Sequence, residues 1–217
     1  TYVGGSQIGG IAGWNQQDGN ITKCSVKTSS VLGNRYVGGA VGVNNGAIEQ
    51  TFVRSCDGDN WIGSKYYKSN SSMSVALSAV INHLLGMSGG TSTNVPYMYT
   101  GGLVGANQSN AGIGTVSNCY VTSTQLNAID AFGELIGVNW GNVSNSYTAA
   151  NGISYYPYYS DSEISYFPDY TSRNMTSVGG SVSGVHYDAS SNVQLSGVGI
   201  AHTSQAVMKD QNTYTGW

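Results

Sequence analysis

The sequence predicts an all-β chain, a right-handed parallel β-solenoid (β-helix), and three observations lead there. An eight-residue phrase returns four times, as IGGIAGWN, VGGAVGVN, TGGLVGAN and FGELIGVN, starting at Ile8, Val37, Thr100 and Phe132. Each phrase is followed by a turn, a β-branched residue and a short polar or aromatic run: GNITKCSV, GAIEQTFV, GTVSNCYV and GNVSNSYT. The glycines Gly9, Gly38, Gly101 and Gly133 recur at separations of 29, 63 and 32 residues, with no hairpin signal between them. A unit of ~30 residues cannot bury its own apolar face, so stacking on its neighbours has to supply the core. A propeller blade would need four strands and about 40 residues or more. One turn of a parallel coil per unit fits.

Composition agrees with a folded β protein. Only 9% of the 217 residues are charged, against about 25% in a typical domain, and 31 are glycine. Disorder would also need few aromatic and β-branched residues, and 16 tyrosines with regular Val and Ile placement exclude it. The net charge of −3 and the scattered basic residues give no stripe for nucleic acid. No run reaches the ~18 apolar residues of a spanning helix. Scarce charge with abundant Ser, Thr, Asn and Tyr points to an extracellular or cell-surface protein.

The chain divides into one solenoid domain over 1–217. Repeats run over about 8–33, 37–58, 101–128 and 132–153, with a degenerate one at 178–197 and inserts at 59–99 and 154–177. Within a repeat, Ile21, Ile48, Val116 and Val143 share one register and read as an inward aliphatic ladder. Two strand parities follow. Cys24, Thr51, Cys119 and Ser146 are small enough for a narrow interior, and Ser25, Phe52, Tyr120 and Tyr147 suit an outer stack. Asn15, Asn44, Asn107 and Asn139 each end a phrase; asparagine tolerates a left-handed turn, and stacked amides can bond along the axis as a ladder. In the phrase itself both parities are apolar, as in Leu103–Val104 and Leu135–Ile136. That face is expected to be covered, by an insert or by a neighbouring protein.

Three cysteines leave at least one unpaired. Cys24 and Cys119 are two repeats apart, about 9.5 Å at the usual strand spacing, beyond the ~7 Å that a disulfide spans. In the first insert, Met73, Leu77, Val80, Ile81 and Leu84 recur at helical spacing behind Ser71 or Ser72, predicting a short helix over 72–85 that packs on the solenoid. The second insert crowds Tyr155, Tyr156, Tyr158, Tyr159, Tyr166, Phe167 and Tyr170 around two prolines, a composition suited to an interface or to wrapping on the solenoid itself.

The patterns GGLVGxN and GxVSNxY closely resemble the GLUG motif, a short repeat of bacterial and some archaeal surface proteins. The resemblance covers about 8–58 and 101–153 and, more weakly, 178–217. It implies a β-solenoid segment of an adhesin-like exoprotein, in which the repeats are spacer or binding modules and not the catalytic part. The tail from Val185 resembles the segment that closes such arrays, which usually continues beyond the position of Trp217.

No catalytic set emerges. The acids are few and no two fall at equivalent positions of adjacent repeats, and the three histidines lack metal-ligand spacing. CDGDN at Cys56–Asn60 lacks the later ligands of a calcium loop, and no glycine phrase leads into a helix with a Lys-Ser/Thr pair. Five N-x-S/T sequons, at Asn20, Asn70, Asn107, Asn142 and Asn174, are about what this composition gives by chance. The expectation is a non-catalytic structural protein without cofactor or metal: an adhesin stalk or a filament subunit assembling with copies of itself. The alternative is a glycan- or surface-binding module that uses the tyrosine loop.

Overall fold

The computed structural model describes residues 7–28, 30–33, 35–55, 61–64, 99–109, 113–122, 125–128, 131–149, 152–155, 174–189 and 197–203. Among these the chain winds through five successive coils of short parallel strands. Coil 1 holds β1 (Gln7–Gly9), β2 (Ala12–Asn15), β3 (Asn20–Thr22), β4 (Ser25–Thr28) and β5 (Val31–Gly33). Coil 2 repeats the order with β6 (Tyr36–Gly38), β7 (Val41–Asn44), β8 (Ala47–Glu49), β9 (Phe52–Ser55) and β10 (Trp61–Ser64). Coil 3 does so with β11 (Tyr99–Gly101), β12 (Val104–Asn107), β13 (Thr115–Ser117), β14 (Tyr120–Thr122) and β15 (Gln125–Ala128). In coil 4, β16 (Ala131–Gly133) and β17 (Ile136–Asn139) precede β18 (Asn142–Ala149), which fuses the third and fourth strands, and β19 (Gly152–Tyr155). Coil 5 contributes β20 (Met175–Ser177) and β21 (Val182–Asp188), and β22 (Ile200–His202) lies beyond it.

Equivalent strands of successive coils pair in parallel and form four sheets, β1-β6-β11-β16, β2-β7-β12-β17-β20, β5-β10-β15-β19 and one that joins the third and fourth strands of every coil. The register is that of the repeat: Gly9 pairs with Gly38, Gly38 with Gly101 and Gly101 with Gly133. Gly38 and Gly101 are therefore adjacent rungs despite the long segment between them. That segment, with the helix expected over 72–85, lies outside the described residues. Coil 2 nevertheless closes with Trp61–Ser64, and coil 5 opens at Asn174, both inside stretches that the sequence assigns to inserts. Neither strand carries the repeat phrase; each takes its place by pairing, Ile62 between Val31 and Leu126, and Met175 against Ile136.

The core is a bundle of ladders running along the coil axis. Ile21, Ile48, Val116, Val143 and Val182 are successive register partners. Val26, Val53, Val121 and Thr148 form a second ladder, and Val31, Ile62 and Leu126 a third. Apart from half-buried Ile21 and Val182 in the outermost rungs, these residues are buried, so each coil is closed by the next, as a repeat too small for its own core requires.

Glycine is required in the phrase because two strands approach at backbone contact. A Cβ on Gly38 or Gly101 would run into the carbonyl oxygen of Val41 or Val104 on the following strand, and one on Gly42 would meet the Tyr36 carbonyl at 2.9 Å. The outward apolar positions Ala106 and Val138 are buried in a small cluster with Tyr99, against which Tyr36 and Trp140 pack. The cover expected from an insert or a neighbour thus comes, among the described residues, from aromatic side chains of the coils themselves.

Candidate functional site

The recurring polar positions converge on lines that run along the stack. The first is the amide line. Asn15 Nδ2 donates to Asn44 Oδ1 at 2.8 Å, Asn44 Nδ2 to Asn107 Oδ1 at 2.9 Å, and Asn107 Nδ2 to Asn139 Oδ1 at 2.7 Å. The second N–H of each amide closes its own turn, as in Asn44 to Gly46 O at 3.1 Å, Asn107 to Gly114 O at 3.1 Å and Asn139 to Gly141 O at 3.0 Å. Asn139 Nδ2 also reaches Ser177 Oγ at 3.3 Å, so a hydroxyl ends the line in coil 5. All four amides are buried. A primary amide has two donors and two acceptor lone pairs, and here every dipole points the same way, so the bonds polarise one another.

These asparagines are not the left-handed residues. The positive φ values belong to Lys23 (55°), Gln50 (50°), Asn118 (52°) and Asn145 (43°), with Gly184 (59°) at the same place in coil 5. Each forms a one-residue arc in the sheet that joins the third and fourth strands, and the small residue after it ties the arc. Cys24 Sγ, Thr51 Oγ1, Cys119 Sγ and Ser146 Oγ contact the carbonyl two residues earlier, at 3.3, 3.1, 3.1 and 2.8 Å. Thr51 and Ser146 also accept from the backbone N–H of Cys24 and Cys119 in the neighbouring coil, at 3.4 and 3.2 Å. Both cysteines are free, with Thr51 standing between them in the stack. Cys119 is fully buried and Cys24, at the edge coil, is half-buried. Burial pushes the Cys119 thiol up to about 12, against the smaller opposing effect of its backbone hydrogen bonds.

On the opposite parity the rings of Phe52, Tyr120 and Tyr147 stack with centroids 4.8 and 5.1 Å apart and planes within 6°. Their faces cover one another. His186 is the next residue of this register, paired with Tyr147.

Two departures from the repeat carry polar groups into buried positions. Glu134 stands where the other coils have Gly10, Gly39 and Gly102, and Thr148 where they have Val26, Val53 and Val121. Thr148 Oγ1 donates to Glu134 Oε2 at 3.0 Å, with both residues fully buried. The glutamate was legible as an irregular copy of the phrase; its partner was not, because Thr148 alone is an ordinary strand residue. The second departure is in the tail, where His186 Nδ1 and His202 Nε2 lie 2.7 Å apart. Burial, and secondarily the charge of His202, holds His186 below the ordinary histidine range. The two residues are 16 apart in sequence, and only the pairing of β21 with β22 brings them together.

Of the tyrosine loop, Tyr155 ends β19; Tyr156, Tyr158, Tyr159, Tyr166, Phe167 and Tyr170 lie outside the described residues, as does Cys56–Asn60. Among the described residues no group of three or more His, Cys, Asp or Glu is arranged to hold a metal ion, and no helix is long and apolar enough to cross a membrane.

No curated protein and no solved structure matches the chain. The family model described as "The GLUG motif" matches it twice, at residues 4–31 and 97–124. The two matches fall on coils 1 and 3, which the stack places in one register with coil 2 between them. The phrase glycines Gly9 and Gly101 and the ladder residues Asn15 and Asn107 lie within these matches, so two of the coils carry the GLUG motif.

Proposed function

We propose that this protein is a non-catalytic structural element, an extracellular or cell-surface β-solenoid that acts as an adhesin stalk or as a filament subunit joined end to end with copies of itself. One observation carries the reading: the recurring residues of the motif are spent on holding one coil to the next. The amide line, the ring stack and the bonds from Cys24 and Cys119 N–H to Thr51 and Ser146 run along the axis, and a rod stiffened in this way serves as a spacer or a polymer segment. End-to-end association is favoured by coil 1. Ile11 is 41% and Trp14 49% exposed there, whereas their counterparts Ala40, Leu103 and Leu135, and Val43, Ala106 and Val138, are buried. Among the described residues the strands of coil 1 pair on one side only, and such an edge templates further pairing.

Light scattering and negative-stain microscopy over a range of concentrations test this. Rods should lengthen with concentration, and the pair Ile11→Lys with Trp14→Glu should keep them short. Monodisperse single particles of the parent chain at every concentration would overturn the filament reading. Surface location is tested separately, by whether protease added to intact producing cells removes the protein.

A further inference from the structure

We infer that His186 and His202 form a pH-sensitive latch that fastens the last strand of the solenoid and releases it on acidification. Among the described residues the strand β22 has one sheet partner, β21, with His186 opposite Ile200, Tyr187 opposite Ala201 and Asp188 opposite His202. Among the described residues a device at each end holds the segment in place, and Gly197 N also donates to Tyr187 Oη at 3.3 Å. Near its start, Asn174 accepts from Val198 N at 2.8 Å and donates to Val198 O at 2.6 Å, from a residue buried in coil 5. Near its end, the imidazoles of His186 and His202 meet at 2.7 Å with planes 6° apart and centroids 5.1 Å apart, the geometry of rings joined edge to edge by one N–H···N bond.

The first device does not titrate between pH 5 and 8. The second does, because an N–H···N bond needs one ring nitrogen as donor and one as acceptor. The bond exists when the pair carries no extra proton or one. With two, both facing nitrogens are donors, the acceptor is gone, and two cations face each other at contact distance. Among the described residues, the titratable and charged groups on the elements packed here are Asp188, two residues along from His186 and opposite His202, Tyr187 between them, and Tyr147 of β18, opposite His186. Asp188 is the acidic neighbour of the pair. The sign follows from linkage. A histidine held low in the folded state binds its proton more readily once the strand has left, so the latch is intact above the ordinary histidine value of 6.5 and weakens as pH falls below it.

Hydrogen exchange of the whole chain, read as protection factors between about pH 8 and about pH 5, tests the latch. The amides of 200–203 should lose about tenfold or more of their protection on acidification, while those of β7 and β12 keep theirs. His202→Gln, which can still donate and accept but does not titrate, should make the protection of 200–203 independent of pH in this range. Three results would overturn the inference: no protection of 200–203 at pH 8, protection unchanged at pH 5, or an undiminished acid loss in H202Q. If H202Q loses protection throughout the coils, NMR titration of the two histidine rings in the parent chain decides. Two coupled steps, the second coinciding with release of 200–203, support the latch, and two independent steps refute it.

Discussion

A single phrase glycine shows what the motif is for. Gly101 lies where the strand β11 turns back against β12, and an added Cβ would run into the carbonyl oxygen of Val104, with Gly137 N at 2.7 Å behind it. Neither group can yield, because both belong to the backbone of a sheet buried on both sides. Gly101→Ala should therefore destabilise by about 3 kcal/mol or more, or abolish folding, by overpacking rather than by any effect on φ. Gly179 supplies the control: the nearest atom to its added Cβ is Trp140 O at 3.7 Å, an ordinary contact. Gly179→Ala should fall within about 0.5 kcal/mol of the parent in denaturant midpoint. Equal costs at the two sites would show that the phrase glycines are kept for some reason other than strand contact.

The one-residue arc is the clearest unit at the scale of an element. In Ser117–Asn118–Cys119 the left-handed Asn118 reverses which face the strand presents, and the Cys119 thiol ties the arc to Ser117 O. Burial keeps that thiol protonated to about pH 12, whereas in the unfolded chain it ionises near 9.0. The folded state therefore holds a proton that the unfolded state releases. This group's contribution is complete below pH 9 and declines as pH rises toward 12, by up to about 1.4 kcal/mol per pH unit. Denaturant unfolding of the parent and of Cys119→Ser between pH 8 and 10.5 measures it. The serine should preserve the tie, as Ser146 does in coil 4, and should flatten the alkaline slope. Native Cys119 should also resist alkylation, and ready labelling at pH 8 would contradict its burial.

The arc also marks how far the sequence could be read. Four copies at one register displayed the coil, the aliphatic ladders, the amide line and the two parities, because each is a local pattern repeated. The left-handed residue was not legible: Lys23 and Gln50 have no preference for that backbone, and only stacking on Asn118 and Asn145 imposes it. Trp61–Ser64 and Asn174–Ser177 were read as insert for the same reason, since they belong to the solenoid through pairing and not through any phrase of their own. The Glu134–Thr148 and His186–His202 contacts each join single residues from unlike positions, where a repeat offers no second copy to compare.

Along the described coils the stabilising contacts are nearest-neighbour ones, so the cost of breaking one depends on where it stands in the stack. Asn107 has a coil on either side: it accepts from Asn44, donates to Asn139 and holds Gly114 O. Asn107→Ala removes one hydrogen-bond partner from a buried amide on either side and one from Gly114 O, and should cost about 2–4 kcal/mol. Among the neighbouring coils Asn15 bonds to coil 2 alone, donating to Asn44 Oδ1 and to Ala47 O, from a coil whose Trp14 and Ile11 are exposed. Asn15→Ala should cost about 1 kcal/mol, because the groups it leaves border a coil partly open to water. The two substitutions remove the same chemical group, so the difference between them reads the coupling along the axis. In hydrogen exchange, Asn15→Ala should lower protection in β2 and β3 alone, whereas Asn107→Ala should lower it in coils 2, 3 and 4 together. Equal stability losses at the two positions, or a loss confined to coil 3 in Asn107→Ala, would mean that the coils fold as independent units and that the amide line does not transmit order between them.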